Sequence, residues 1–171
     1  MPREIHTLGP VIAQRVDEDG PVRVHELEGH RYLTFGNRVE QSCIEIARPH
    51  RLAHAYTQAM MLSLPLRPDP AHALVLGLGG GSLVRALHHL DPGLAITAVE
   101  RRPAVIALAG ECLGLETGPH LSIHQAEAET FIAESGDHYD LVMVDLFLAD
   151  GAHPAQGERD FLENCRARLS P

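Results

Sequence analysis

"ALVLGLGGGSLVRALHHL", residues 73–90, is the stretch whose reading decides the fold. An apolar run enters a cluster of glycines, Gly77, Gly79, Gly80 and Gly81, and a pattern of helical period leaves it. Glycine adopts backbone angles closed to other residues and lets another group approach the main chain. The helix that follows offers unpaired N–H groups and the positive end of its dipole. The cluster reads either as a tight turn or as a place where a ligand lies against bare backbone. Nineteen residues after Gly81, Glu100 stands at the end of the next apolar run, where a carboxylate accepts from both hydroxyls of a ribose. Strand, glycines, helix and acid together favour an adenosine-containing ligand.

Outward from this stretch the pattern alternates. Strands are expected at 73–77, 94–99, 120–125 and 139–146, and helices at about 81–90, 103–113, 127–134 and 158–169. Such repetition with continuous apolar strands implies an α/β fold, a doubly wound, mostly parallel sheet covered on both faces. Ligands of these sheets bind beyond the carboxyl ends of the strands. That singles out Gly77 to Ser82, Glu100, Ala126 to Glu127, and Asp145 onward.

Upstream, "VIAQRV", "VRVHEL", "RYLTFG" and the alternation in "NRVEQSCIEIA" predict a small antiparallel β domain over residues 1–49. Residues 50–171 would form the second, nucleoside-binding domain. It opens with a helix over "RLAHAYTQAMMLSL", ended by the prolines of "PLRPDPAH". The pattern closes on "RARLSP", where a helix ends and another strand is expected. The C-terminal strands of such a sheet are missing from the pattern, and the free edge calls for cover.

The formal net charge is −9, with no basic stripe. This speaks against nucleic acid as a partner and is compatible with a cationic substrate. The best apolar run, "LVMVDLFLA" at 141–149, is too short to span a bilayer and contains Asp145, so no membrane association is expected. "MPREIHTLGP" lacks the basic and apolar regions of a secretory leader, and three scattered cysteines fit a reducing cytoplasm. Of the twelve histidines, His50 and His54 would share a helix face and His88 adjoins His89, but neither pair has the companions of a zinc site. No metal is expected.

Two ligand classes share the glycine–acid layout. A dinucleotide site prefers a third glycine where this chain has Ser82. A site for S-adenosylmethionine or a relative needs the glycines and the acid, and usually adds an acid after the third strand. Glu127 is placed for that, or else is a solvated carboxylate at a helix N-terminus. Asp145 ends a buried strand, where a carboxylate is costly unless paired or used. It would orient an amine nucleophile or take its proton.

"YLTFGNRVEQS", "AYTQAMM", "VLGLGGGSLVRAL", "ITAVERRPAVIALA", "HQAEAETF" and "YDLVMVDLF" follow one another in an order that resembles the polyamine aminopropyltransferases of the spermidine synthase type. The resemblance covers roughly residues 30–171 and implies a sheet of the S-adenosylmethionine-dependent methyltransferase type. It also implies transfer of an aminopropyl group from decarboxylated S-adenosylmethionine to a small amine, with no metal. Gly77, Gly79 and Gly81, with Ser82 after them, would line the nucleoside, Glu100 would hold its ribose and Glu127 would sit near adenine. Gln41 would lie over the sulfonium end, Tyr56 at the amine pocket, and Asp145 would position and deprotonate the attacking amine. A homo-oligomer formed through the N-terminal β domain is also implied. The chain departs from the family at two carboxylate positions, which here are Ser82 and Leu148. Those departures leave two other readings: a methyltransferase using S-adenosylmethionine on a small acceptor, and a non-catalytic binding or oligomerisation module that keeps the fold.

Overall fold

A computed structural model describes residues 8–37 and 39–171. Most of the segment read above for a leader, residues 1–7, lies outside the described residues. Strands β1 (Val11–Asp17), β2 (Gly20–Leu27), β3 (His30–Thr34) and β4 (Glu40–Glu45) form an antiparallel meander in sequence order. Between Leu27 and His30, Glu28 and Gly29 both take positive φ, 49° and 76°, as a two-residue hairpin turn requires. β1 is an edge strand and leaves Val11, Ile12 and Val16 exposed.

The helix expected over residues 51–64 is later and shorter. α1 spans Ala55–Met60 and tightens into a 3-10 turn, Met61–Leu66, that contains Pro65. Its start is delayed because the chain turns at Arg48–Arg51, with Arg51 N–H donating to Arg48 O at 2.9 Å, and is still extended at His54. His50 and His54 therefore share no helix face. His50 instead stacks on His89 with ring centroids 3.7 Å apart.

The alternating part follows as β5 (His72–Leu76), α2 (Ser82–Leu90), β6 (Ala95–Glu100), α3 (Pro103–Glu111), β7 (Leu121–Gln125), α4 (Ala128–Glu134) and β8 (Leu141–Val144). A hairpin of β9 (Phe147–Leu148) and β10 (Gly151–Ala152), a 3-10 turn at Pro154–Gly157, and α5 (Arg159–Ala167) complete it. Four strands pair in parallel in the order β7-β6-β5-β8. The sheet grows outward from β5 through β6 to β7, and β8 then returns to the other side of β5. The crevice created by that reversal lies at the carboxyl ends of β5 and β8.

Strand periodicity sorts the core. Ala73 and Val75 face a layer containing Leu83, Val84 and Leu87 of α2, while Leu74 and Leu76 face Ile132 of α4 and Phe161 of α5. Helix α3 is apolar all round because both of its sides are covered. Ala109 meets the parallel sheet, whereas Ala104, Val105 and Leu108 pack on Val22, Val24, Leu33 and Ile44 of the meander. At the other edge, Leu169 pairs in parallel with Tyr139 beside β8, through Tyr139 N–H to Arg168 O and Ser170 N–H to Tyr139 O, both 2.8 Å.

A buried ion pair locks the two sheets. Arg102, immediately before α3, is 4% exposed in its side chain and Asp17 is 6% exposed, with Arg102 Nη2 2.6 Å from Asp17 Oδ1. The guanidinium also donates to Gly20 O at 2.8 Å and lies 4.7 Å from the Phe35 ring centroid. Burial alone would raise the Asp17 carboxyl, but the Arg102 hydrogen bonds and charge hold it below its ordinary value. Removing one partner of such a pair strands the other charge in the interior. Arg102→Ala should lower stability in urea unfolding by about 3–5 kcal/mol. Arg15→Ala, which breaks the exposed Arg15–Glu111 contact at 2.8 Å, should cost no more than about 1 kcal/mol.

Candidate functional site

The glycine loop is built by close approaches within the chain. Gly77 N–H continues the β5–β6 pairing by donating to Val99 O at 2.9 Å, and its φ is +96°. A Cβ at Gly77 would stand 2.1 Å from the Asp145 carbonyl oxygen, so only glycine lets the end of β8 come so near. A Cβ at Gly79 would lie 2.8 Å from Ser42 Oγ, and one at Gly80 would lie 2.9 Å from Ser42 Cβ. Ser42 uses the space by accepting the Gly80 N–H at 2.8 Å. What rests against the bare backbone is therefore β4 and the end of β8. Arg85 braces the loop from behind, donating to Gly80 O and, at 3.1 Å, to Pro49 O. Burial brings the Arg85 guanidinium down to about 10.

Glu100, half-buried at the end of β6, turns toward this loop. Its Oε2 lies 3.3 Å from both Leu78 N and Gly79 N, and its Oε1 accepts the Arg102 N–H at 3.0 Å. Burial raises its carboxyl, opposed by those three N–H groups and the charge of Arg101. Beside it is a cavity of about 60 Å³ whose walls include Gln41, Gly77, Gly79, Glu100, Glu127 and Asp145. Glu127 is exposed, 3.8 Å from Arg101 Nη1, and Arg101 also binds Asp19 at 3.0 Å. Gly81 and Ser82 do not line the cavity. Gly81 caps α2, and a Cβ there would meet Leu115 at 3.0 Å.

A larger cleft, about 850 Å³, adjoins the cavity through the shared walls Gln41 and Phe147. Tyr56 lines this cleft, and its hydroxyl donates to Asp145 Oδ2 at 3.5 Å. Burial pushes the Asp145 carboxyl up to about 6 against the Tyr56 hydrogen bond and the charge of His54. Burial and the charge of Asp145 raise the Tyr56 phenol in turn. The β9–β10 hairpin divides the two spaces. It is pinned to the meander by Asn37 Nδ2 donating to Ala149 O at 2.6 Å and Gln41 Nε2 donating to Leu148 O at 3.5 Å.

Six of the nine residues singled out in the sequence thus surround one cavity, Tyr56 stands in the adjoining cleft, and Gly81 and Ser82 lie outside both. Sequence reasoning missed Ser42, Glu40 and Arg101. Only the adjacency of Glu40 and Ser42 to Gln41 on an alternating strand could have drawn attention to them. Among the described residues no group of three or more His, Cys, Asp and Glu side chains is placed to hold a metal ion. Nor is any described helix long and apolar enough to cross a membrane.

The site places a carboxylate raised by burial where the smaller cavity adjoins the larger cleft, with a second acid, Glu100, lining the cavity. With the native Asp145 carboxyl at about 6 and its ordinary value 3.8, the folded state keeps a proton between those values that the unfolded chain has lost. Stability contributed there falls as pH rises through that window. Asp145→Asn should remove that slope and stabilise the protein at pH 7 by up to about 3 kcal/mol, read from urea unfolding at pH 4 and pH 7.

No family model matches the chain. The polyamine aminopropyltransferase of Chromobacterium violaceum is 33% identical over 151 residues, 88% of this chain and 58% of that protein. The corresponding protein of Neisseria meningitidis serogroup A is 32% identical over 87% of this chain and 57% of its own length. The chain thus spans a little over half the length of these curated relatives. The eEF1A lysine and N-terminal methyltransferase of Xenopus laevis is 30% identical over 74% of this chain and 21% of its own length.

Among solved structures, human methyltransferase-like protein 13 in complex with SAH matches with a TM-score of 0.61 and 28% identity, over 70% of this chain and 62% of that one. A probable spermidine synthase from Corynebacterium glutamicum matches with a TM-score of 0.80 and 20% identity, over 95% of this chain and 61% of that one. A spermidine synthase in complex with the transition state analogue AdoDATO gives 0.74 and 16%, over 94% of this chain and 55% of that one. The last two show the shared fold.

Proposed function

From a chain homologous to the polyamine aminopropyltransferases over most of its length, we propose transfer of an aminopropyl group from a decarboxylated S-adenosylmethionine-type nucleoside to an amine acceptor. The observation that carries this reading is Asp145. It stands where the cavity walled by Glu100 meets the cleft walled by Tyr56, and it is the carboxylate held near pH 6.

On this reading the nucleoside's ribose lies on Glu100, its adenine end toward Glu127, and Gly77, Gly79 and Gln41 flank the sulfonium end. At about 60 Å³ the cavity is smaller than the several hundred Å³ that ligand sites offer. The β9–β10 hairpin, held by two long-range contacts, is the wall that must yield. The acceptor occupies the cleft with its amine between Tyr56 and Asp145. Against an alkylammonium at about 10.4, a carboxylate titrating near 6 takes the proton uphill by about four pH units, so Asp145 accepts it only transiently as the neutral amine meets the electrophilic carbon. The amine nitrogen then attacks the carbon bonded to sulfur. A C–N bond forms, the C–S bond breaks with its electron pair staying on sulfur, and the positive charge passes from sulfur to nitrogen. Catalysis on this reading comes chiefly from alignment of the two reactants.

A second reading, methyl transfer to an amine, is favoured by the 28% identity to a methyltransferase-like protein crystallised with SAH and by the relative named for lysine and N-terminal methylation. Both readings use the same neutral amine and differ in the group transferred. Calorimetry with decarboxylated S-adenosylmethionine, S-adenosylmethionine and methylthioadenosine separates them. The first reading expects the decarboxylated form to bind at least about tenfold tighter than the intact one. The reverse order would favour methyl transfer, and binding of none would overturn both. Glu100→Ala should weaken all three. With a working acceptor, turnover should fall as pH drops through about 6. Asp145→Asn should lower it by about 10²–10⁴-fold and abolish that acid limb.

A further inference from the structure

The side chain of Asp145 is weakly held by its own contacts. Tyr56 reaches Asp145 Oδ2 only at 3.5 Å, and His54, whose charge also acts on the carboxyl, stands 3.1 Å from Glu40 Oε1. The direction of the carboxylate is therefore set by the backbone that carries it. Sheet pairing runs out at this point: β8 ends at Val144, and Asp145 N–H donates to Leu76 O at 2.8 Å. The next residue, Leu146, leaves the sheet for the β9–β10 hairpin and needs partners for its own N–H and C=O.

Gln156 supplies both. Its Nε2 donates to Leu146 O at 2.6 Å, and its Oε1 accepts the Leu146 N–H at 3.4 Å. A carboxamide offers the donor and acceptor of a peptide unit, so one side chain stands in for a neighbouring strand. Leu146 O also accepts the His153 N–H at 2.9 Å. The base of this clamp is firm. Gln156 lies in the 3-10 turn Pro154–Gly157 and its N–H donates to His153 O at 3.2 Å, while Ala155 beside it is buried with Leu74, Leu76 and Phe161. From the loop side Gly77 leaves room for Asp145 O, so the segment Asp145–Leu146 is gripped by the glycine loop and by Gln156.

We propose that Gln156 is a positioning residue for the reaction: by clamping Leu146 it fixes Asp145 where the cavity meets the cleft and anchors the hairpin that separates them. This rests on the reading above only in making Asp145 the reacting carboxylate. A residue that merely stabilised the turn would change stability and leave the titration of the carboxyl where it is.

The test is a carbon-13 NMR titration of the carboxyl groups of wild type and Gln156→Met, with the Asp145 signal identified by its loss in Asp145→Asn. Methionine keeps the length of the side chain and removes both hydrogen bonds. Wild type should titrate at about 6. In Gln156→Met the released carboxylate meets water, and its midpoint should fall by at least about 1 pH unit toward its ordinary 3.8. An unmoved midpoint in the folded variant overturns the proposal. Hydrogen exchange on the wild type needs no variant: Leu146 N–H should exchange within about tenfold of Asp145 N–H, and exchange as fast as in an unstructured peptide overturns the clamp. With a working donor and acceptor, Gln156→Met should lower kcat by about 10²-fold and change KM less than about twofold, and a wild-type kcat counts against the role. A fallen midpoint with no sulfonium donor supporting transfer would sink the activity assigned above and leave the clamp standing. Aminopropyl transfer with an unmoved midpoint would do the reverse.

Discussion

The hydroxyl of Ser42 seated against Gly79 and Gly80, which carry no side chains, is the contact on which the arrangement turns. The parallel sheet and the meander are separate hydrogen-bonded systems, and β4 reaches the glycine loop only because Gly79 and Gly80 leave room for Ser42. Once Ser42 is seated, the irregularity at Gln41, left unpaired between the Leu33–Ser42 and Thr34–Glu40 pairs, lets Gln41 line the cavity beside it, and Glu40 lines the cleft. Gly77 does the same for the end of β8, bringing the Asp145 backbone against the loop. The Arg102–Asp17 pair and the apolar contact of α3 hold the two sheets in this apposition. The glycines make a junction of three chain segments, and the site is the gap left at that junction.

The electrostatics of β8 show how place decides the character of an acid. Asp140, just before the strand, accepts from Arg67 and from the Ala71 and His72 N–H groups, and is held down to about 2. Asp145, just after it, is desolvated with only a long contact from Tyr56 and is pushed up to about 6. The first is a structural anchor that stays ionised. The second is a carboxylate whose charge is disfavoured by its burial.

The parallel sheet is legible in the sequence because its strands are continuous apolar runs separated by helical periods. Each strand and helix expected there lies within two residues of its observed bounds. The β9–β10 hairpin is not legible, since strands of two residues are too short to show a period. α1 begins later than its apolar spacing implies, because that spacing extends back over residues that turn instead of coiling. In the site, Glu100, Asp145 and Gln41 could be singled out because strand ends and a recognisable resemblance mark them. The place of Ser42 depends on the meander folding back over a loop some forty residues downstream, and the Glu40–His54 contact on the turn at Arg48–Arg51 between them; neither is encoded in a local pattern. The glycines themselves were legible as a close approach. The approaching groups described are the protein's own.

Phe147 has a consequence for how two ligands would behave together. Its ring is a wall of the cavity on one side and of the cleft on the other, and it sits on a hairpin of two-residue strands. A molecule that displaces it from either side alters the shape offered to the other. Occupancies of the two spaces are then thermodynamically linked. Whatever factor the first imposes on the affinity of the second, the second must impose on the first.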